Sequence, residues 1–390
     1  MEIILKGLTW DHPRGYAPLI GGAPEYEKQH PGIKIHWDRR SLKEFGEAPI
    51  EQYVDRYDLL IVDHPFVGFA AAHGVLVDLA HSISDAEKTR FAADSVGPSW
   101  QSYWYGGGLW AFPIDAATQV ASYRPDLLFS LSDAVPDTLD LVLELARKAR
   151  TAGKYIVVPA CPTDAISLFF TLSASLGFPI PEERDFFIDE SVAQEVLDRL
   201  HVFIALAHPQ SVDWNPIQVY DFMSESSDAV YCPYGFGYSN YSRVERPVRL
   251  KFVNAPAAGK NSCAGTMLGG TGVAVSRFSR NQPAAIAYAR WLVSPEHQSG
   301  TYFREGGQPA SFAAWRDAAV NKASDDFFLN TLQTLETAYV RPRFDGFVRF
   351  FEAAGIDINR CLRGELSDAA LVHRLNDNYA KQRSSARQIA

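Results

Sequence analysis

Residues 57–79 read YDLLIVDHPFVGFAAAHGVLVDL, and the parsing of this stretch decides the fold class. Tyr57–Val62 is a continuous apolar run, the pattern of a parallel strand covered on both faces. Val67–Ala72 reads as a helix that ends at Gly74, and Val75–Leu79 returns to an extended apolar pattern. Upstream, Ile3–Leu8 is a second β-branched run, and Ala17–His30 is a helix interrupted by Gly21, Gly22 and Pro24. Pro31-Gly32 makes a turn and Ile33–Trp37 alternates as a half-covered strand does. Strand and helix therefore alternate from the start through Leu79, which predicts an open α/β sheet with right-handed crossovers.

The style continues downstream. Trp110–Ile114 and Val120–Tyr123 read as short strands. Thr138–Ala152 reads as a helix with Leu139, Val142, Leu143, Leu145 and Ala146 on one stripe, capped by Asp137 or Thr138 and closed by Gly153. Tyr155–Val158 is a strand, Ala165–Leu176 (AISLFFTLSASL) a helix apolar nearly all round and hence buried, and Val192–Ala207 an amphipathic helix. Ala229–Cys232 is a strand that leads into an aromatic, glycine-rich loop. In the last third, Gly269–Gly272 precede the strand Val273–Val275. Helices follow at Pro283–Leu292, Phe312–Asn321, Asp325–Ala338, Phe347–Ala354 and Asp368–Tyr379, and the polar tail Lys381–Ala390 is expected to fray.

Composition sets bounds on function. A chain of 390 residues suggests two or three compact units, and 47% hydrophobic with 21% charged residues is ordinary globular content. Lys+Arg 37 against Asp+Glu 46 leave a net charge of −9, a poor footprint for nucleic acid or an anionic membrane. No apolar run is long enough to span a bilayer. Cys161, Cys232, Cys263 and Cys361 lie far apart with no C-x-x-C pair; they read as buried free thiols, with a disulfide between any two left open. The strand beginning just after Met1 has no basic, apolar and small-residue segments ahead of it. The chain therefore reads either as cytoplasmic or as a mature form whose leader was removed.

Four segments, in this order, resemble the extracellular solute-binding proteins of ABC importers, the large family that includes maltose- and other sugar-binding receptors. They are Tyr57–Leu79, Leu109–Leu128 (LWAFPIDAATQVASYRPDLL), Gly269–Gly307 (GGTGVAVSRFSRNQPAAIAYARWLVSPEHQSGTYFREGG) and Tyr339–Tyr379 with its Arg341-Pro342-Arg343. The resemblance implies a two-lobe, type II binding-protein fold, with discontinuous α/β domains at 1–112 with 257–308 and at 113–256 with 309–390. Hinge crossings are expected near Pro113–Ala117, Asn254–Lys260 and Gly306–Ser311, and closure over a ligand buries it between rigid lobes. It further implies a periplasmic or extracellular monomer whose partners are a small-molecule ligand and an ABC permease, with no cofactor, no nucleic acid and no membrane insertion.

Candidate site residues come from the rims of the sheet, since loops at the carboxyl ends of parallel strands line the ligand crevice. Asp11-His12-Pro13 follows the first strand and Asp63-His64-Pro65 a later one, so Trp10, His12, Arg14, Asp63, His64 and Phe66 are expected on one rim. For Asp11 and Asp63, capping of the following helix is an equal reading. Two His/Asp pairs also invite a metal, but no H-x-H or H-x-x-H spacing supports one, and no metal site is assigned. The second rim is aromatic: glycines separate the rings of Tyr231–Tyr238 (YCPYGFGY) and let backbone approach a ligand, and the resemblance places Phe236 and Tyr238 where rings stack on ligand, a sugar face or a planar group. Packing at a tight bend is the alternative. Asp115 and Gln119 follow the first crossing. Thr163 and Asp164 open the buried helix as contacts, as caps, or as the start of an anion site. Gly270 and Thr271 offer donors, and Arg343, like Arg341, offers a bidentate partner for a carboxylate or phosphate.

Motifs for catalysis are missing: there is no G-x-S-x-G elbow, no phosphate-binding G-x-x-x-x-G-K-[ST] loop and no H-E-x-x-H. The expectation is a receptor and not an enzyme, one that captures a polar small organic solute for ABC-type uptake, a carbohydrate first and a small anionic metabolite second. A cytoplasmic metabolite sensor of the same fold is the alternative. A hydrolase or metal protein built on the Asp63/His64 and Asp11/His12 rim is a further one.

Overall fold

The continuous apolar runs pair into one eight-stranded sheet. The computed structural model describes residues 2–47, 50–259 and 262–387. The strands are β1 (Ile3–Trp10), β2 (Ile33–Arg40), β3 (Leu59–Val62), β4 (Phe112–Tyr123), β5 (Tyr155–Ile156), β6 (Ala229–Phe236), β7 (Lys251–Val253) and β8 (Leu268–Val275). The longer helices and those that frame the site are α1 (Pro13–Gln29), α2 (Leu42–Glu47), α3 (Val67–His73), α4 (Leu139–Thr151), α5 (Pro162–Ser175), α6 (Glu190–Leu206), α7 (Pro216–Glu225), α8 (Gln282–Leu292), α9 (Phe327–Glu336), α10 (Phe347–Leu362) and α11 (Asp368–Arg387). Strand order is β2-β1-β3-β8-β4-β6-β5, with β7 also on β4. The β1–β2, β1–β3 and β5–β6 pairs are parallel, and β8 and β4 run antiparallel to their neighbours.

The chain folds into two α/β lobes, each assembled from separated stretches. One core gathers Leu5, Trp10, Ile61 and Phe112 with Val273 and Tyr288 from much later in the chain. A second gathers Phe169, Phe187 and Tyr231 with Phe350 and Tyr379, and a third lies under the middle of β4 with Val120, Tyr220, Phe252 and Trp315. Strand β3 is buried at every position, as its unbroken LLIV run requires.

Strand β4 joins the lobes. The sequence suggests two short strands here, Trp110–Ile114 and Val120–Tyr123; the structure has one strand of twelve residues, buried throughout. Its continuity is masked by Asp115, Thr118 and Gln119, polar residues whose partners are distant in sequence. Asp115 holds Arg14, Thr118 Oγ1 donates to the Met267 carbonyl at 3.0 Å, and Gln119 receives the Thr171 hydroxyl. The first part of β4 pairs with β8, and the second with β6 and β7. Gln308–Pro309 runs beside it: Asp115 bridges Pro309, and Gln308 Nε2 donates to the Ala116 carbonyl at 2.8 Å. Asn254 accepts from the Thr334 N–H at 3.0 Å, while Lys260 lies outside the described residues.

Other departures share a physical cause, the double use of glycine and aspartate. Helix α10 runs past Ala354 because Gly355 is a contact point and not a stop: a Cβ there would lie 2.4 Å from the Pro162 carbonyl oxygen at the start of α5. Strand β6 likewise continues through Gly235, where a Cβ would meet the Tyr220 hydroxyl at 2.5 Å, so the expected aromatic loop is strand up to Phe236. The helix expected over Phe312–Asn321 breaks at Asp317, whose carboxylate caps the next segment by accepting from Ala319 and Val320 N–H. Val75–Leu79 makes only a single bridge, Leu76 with Ser276, because Asp78 starts a 3-10 turn by accepting from Ala80 N–H. The tail is helical to Arg387 and does not fray over that span; Gln388–Ala390 lie outside the described residues. All four cysteines are free, and no helix among the described residues is long and apolar enough to cross a membrane.

Candidate ligand cleft

Where the lobes face one another, a cavity of about 470 Å³ opens, in the range that holds small organic ligands. The first lobe supplies Trp10 and Arg14 from the end of β1 and start of α1, Leu42 and Phe45 from α2, and Asp63 from the end of β3. The strands between the lobes supply Asp115, Ala117 and Gly269–Thr271. The second lobe supplies Cys161–Asp164 and Ser167 from α5, Asn215 and Pro216 at the start of α7, and Phe236 and Tyr238. Arg341 completes the lining. The carboxyl ends of the parallel strands β1 and β3 deliver Trp10 and Asp63 there, as expected for this sheet type.

Two ion pairs brace the walls. Arg14 is buried and grips Asp115 with two prongs, Nε to Oδ2 at 2.8 Å and Nη2 to Oδ1 at 2.5 Å. Its remaining prong donates to the Gly237 carbonyl at 2.8 Å, and its plane lies 4.5 Å from the Tyr238 ring. Burial alone would lower Arg14, but Asp115 holds it above its ordinary value. Asp63 serves two ends at once: it caps the turn that follows β3 by accepting from His64 N–H at 2.8 Å, and it accepts from Arg341. Burial alone would raise its carboxyl; Arg341 and His64 together hold it well below the usual carboxylate range.

Asp164 is the exception. It sits in the first turn of α5, only 4% exposed, and its one side-chain bond is from the Cys161 thiol at 3.1 Å. Burial pushes its carboxyl up to about 7. Elsewhere in the lining, Trp10 packs on Phe45 with ring centroids 5.1 Å apart, and half-buried Phe236 turns its ring over Gly269, where a Cβ would come within 2.7 Å of the ring. Thr271 Oγ1 is buried without a partner among the described residues.

Of the residues expected from sequence, Trp10, Arg14, Asp63, Asp115, Thr163, Asp164, Phe236, Tyr238, Gly270 and Thr271 come together around this cavity. His12, His64, Phe66, Gln119 and Arg343 do not line it. His12 is the cap of α1, accepting from Arg14 N–H at 3.1 Å, and turns its edge to Tyr238. His64 is fully buried between Asp63 and Arg341, and its ring is pushed down to about 4 by burial, with Arg341 adding to the effect. It is neutral and presents no base to the cavity. Phe66 is in the first-lobe core, and Gln119 is spent on Thr171. Arg343 donates to the carbonyls of Gln101, Ser102 and Trp104, each at 3.0 Å. The two Asp-His-Pro tripeptides do not converge, since Asp11 pairs with Arg39 on the surface and not with the Asp63 site. Capping at the first falls to His12 and not to Asp11. Neither Thr163 nor Asp164 caps α5, whose cap position is Cys161.

Sequence reading missed Leu42, Phe45, Ser167 and Asn215. Only Asn215 left a signal: with Gln218 it forms a capping box, the mark of a helix start, and that start points at the cleft.

The family model described as bacterial extracellular solute-binding protein matches residues 9–299. Similar solved structures include maltose-bound MalE3 of T. maritima, with 17% identity over 98% of this chain and 99% of that chain at a TM-score of 0.82. A second is an ABC-transporter solute-binding protein of Agrobacterium radiobacter K84 in complex with ribitol, with 20% identity over 97% of this chain and 98% of that chain at 0.81. A third, from Thermotoga lettingae TMO bound with alpha-D-tagatose, has 16% identity over 97% of this chain and 99% of that chain at 0.80. At these identities the likeness is one of fold, and the fold is the two-lobe one.

Proposed function

Because this chain belongs to the bacterial extracellular solute-binding protein family, we propose that it captures a carbohydrate or polyol in the cleft between its lobes and hands it, chemically unchanged, to an ABC-type permease. The observation that carries this reading is a cavity lined by rings from both lobes, Trp10 and Phe45 from one and Phe236 and Tyr238 from the other, interrupted by a few polar groups. Rings offer a flat apolar face to the C–H side of a sugar and have few rotamers to freeze. Asn215, Thr271 and Asp164 offer hydrogen bonds to hydroxyls. Relatives of the same fold hold maltose, ribitol and tagatose, which supports the solute class.

A small anionic solute fits less well, because both arginines that line the cavity already hold carboxylates. Among the described lining residues none is an activated nucleophile. The Cys161 thiol is pushed far up by burial and by Asp164, so it stays protonated, and His64 is out of reach. In this reading the protein works as a monomer outside the cytoplasmic membrane, the place named in the family's description.

A bound solute stabilises the native state by RT ln(1 + [L]/Kd), about 2.7 kcal/mol at a hundredfold excess over Kd. A thermal-shift screen of sugars, polyols and organic acids should therefore give its clearest shifts among sugars and polyols; shifts confined to organic acids would refute the solute class. Phe236→Ala should weaken binding of the best hit by about tenfold or more while the melting temperature of the free protein changes little, because the ring is only half-buried. A large drop in melting temperature would make Phe236 a packing residue.

A further inference from the structure

Charge in the cleft does not balance. Asp63 is matched by Arg341 and Asp115 by Arg14. Asp164 lines the same cavity, is more than nine-tenths buried, and has no cation within ion-pair reach among the described residues. The titratable groups that share its surroundings are Cys161 at the start of α5, Tyr220 on α7, Cys232 on β6 and Tyr238 beyond it. All are neutral: burial shifts each of them upward, and the Asp164 charge adds a smaller part. We infer that the solute carries a basic nitrogen, held as an ammonium against Asp164 beside the aromatic walls, so that the captured carbohydrate or polyol is an amine-bearing one. This rests on the reading of the cleft as a solute site and narrows it.

Two forces act on Asp164 in the empty cleft. Burial without a partner disfavours its anion. Its place in the first turn of a fourteen-residue helix favours the anion through the helix dipole, and the Cys161 thiol donates to it. Lobe closure strengthens the first force. An ammonium group on the solute removes that penalty only in the complex, and so contributes directly to affinity. A neutral solute has the opposite effect, because covering Asp164 then drives it to take up a proton. The two solute classes therefore differ in the sign of their pH dependence. An ammonium solute binds more tightly as pH rises through the Asp164 transition near 7, and a neutral one more tightly as pH falls through it.

Calorimetric titration of the full-length protein with 1-amino-1-deoxyhexitols, their parent hexitols and simple alkanolamines, at about pH 6 and about pH 8, separates the cases. The aminohexitol should bind about tenfold or more tightly than its parent at the higher pH. That preference should shrink at the lower pH and vanish in Asp164→Asn. Parents that bind as tightly as the amines, or that tighten toward the lower pH, would overturn the inference while leaving the carbohydrate reading intact. Binding of alkanolamines with none of the hexitols would keep the amine site and remove the carbohydrate. Silence from all three groups would remove both.

Discussion

Asp115→Ala should cost about 3–5 kcal/mol of folding stability, the largest loss expected from any single change in the cleft. The mechanism is the stranded partner. Arg14 is 4% exposed and cannot give up its proton at any working pH, so removal of Asp115 leaves a buried guanidinium with only the Gly237 carbonyl and the Tyr238 ring for compensation. The consequence is also architectural, because Arg14 ties the start of α1 to the crossing strand β4 and to the backbone just beyond β6. Replacing both residues together, Arg14→Met with Asp115→Leu, should recover much of the loss, since a well-packed apolar pair carries no desolvation penalty. Urea unfolding of the single and double variants measures both quantities. A loss below about 1 kcal/mol for Asp115→Ala would place the pair in the class of solvated surface bridges.

The opposite sign is expected at Asp164. Its carboxyl titrates near 7 in the native state against about 3.9 in an unfolded chain. Below that lower value both states hold the proton, so Asp164 adds no pH dependence to stability there. As pH rises from about 4 to about 7 the unfolded chain ionises freely while the native protein resists, and stability falls by up to about 4 kcal/mol. Asp164→Asn removes this loss. It should therefore be more stable than the parent near pH 8, with the two curves meeting toward pH 4; parallel curves would contradict the account. Asp63 behaves in reverse, because its lowered carboxyl contributes stability at neutral pH that disappears as the solution is acidified below the ordinary carboxylate range. Proteins keep such a destabilising group where function needs it, and a gain in stability joined to a loss of binding in Asp164→Asn would identify that trade.

The sequence was most legible where one local rule sufficed. The short LLIV run of β3 reads as a strand covered on both faces, and the rule that strand carboxyl ends line the crevice brought Trp10 and Asp63 to the cavity. Legibility failed where a residue's role depended on something far away in the chain. Asp115 looks like an interruption of β4 until Arg14 is placed against it, and Arg341, expected to hold a carboxylate, holds one of this chain's own, Asp63 near the other end of the sequence. Gly235 and Gly355 read as breaks because a single sequence cannot distinguish a glycine that bends backbone from one that lets Tyr220 or Pro162 approach. The histidines of the two tripeptides drew the functional reading, yet His64 is a buried spacer and His12 a helix cap. Phe45 on its short helix α2 shows no periodicity that would have marked it.

Ligand-observed NMR on the unmodified protein tests the central claim most directly, because one spectrum reports both capture and chemistry. With a panel of sugars, polyols and their amino derivatives, saturation should pass from the protein to the C–H protons of at least one of them, and the spectrum of that solute should be unchanged after prolonged incubation. No transfer to any member, or the growth of product resonances from one that binds, would contradict it.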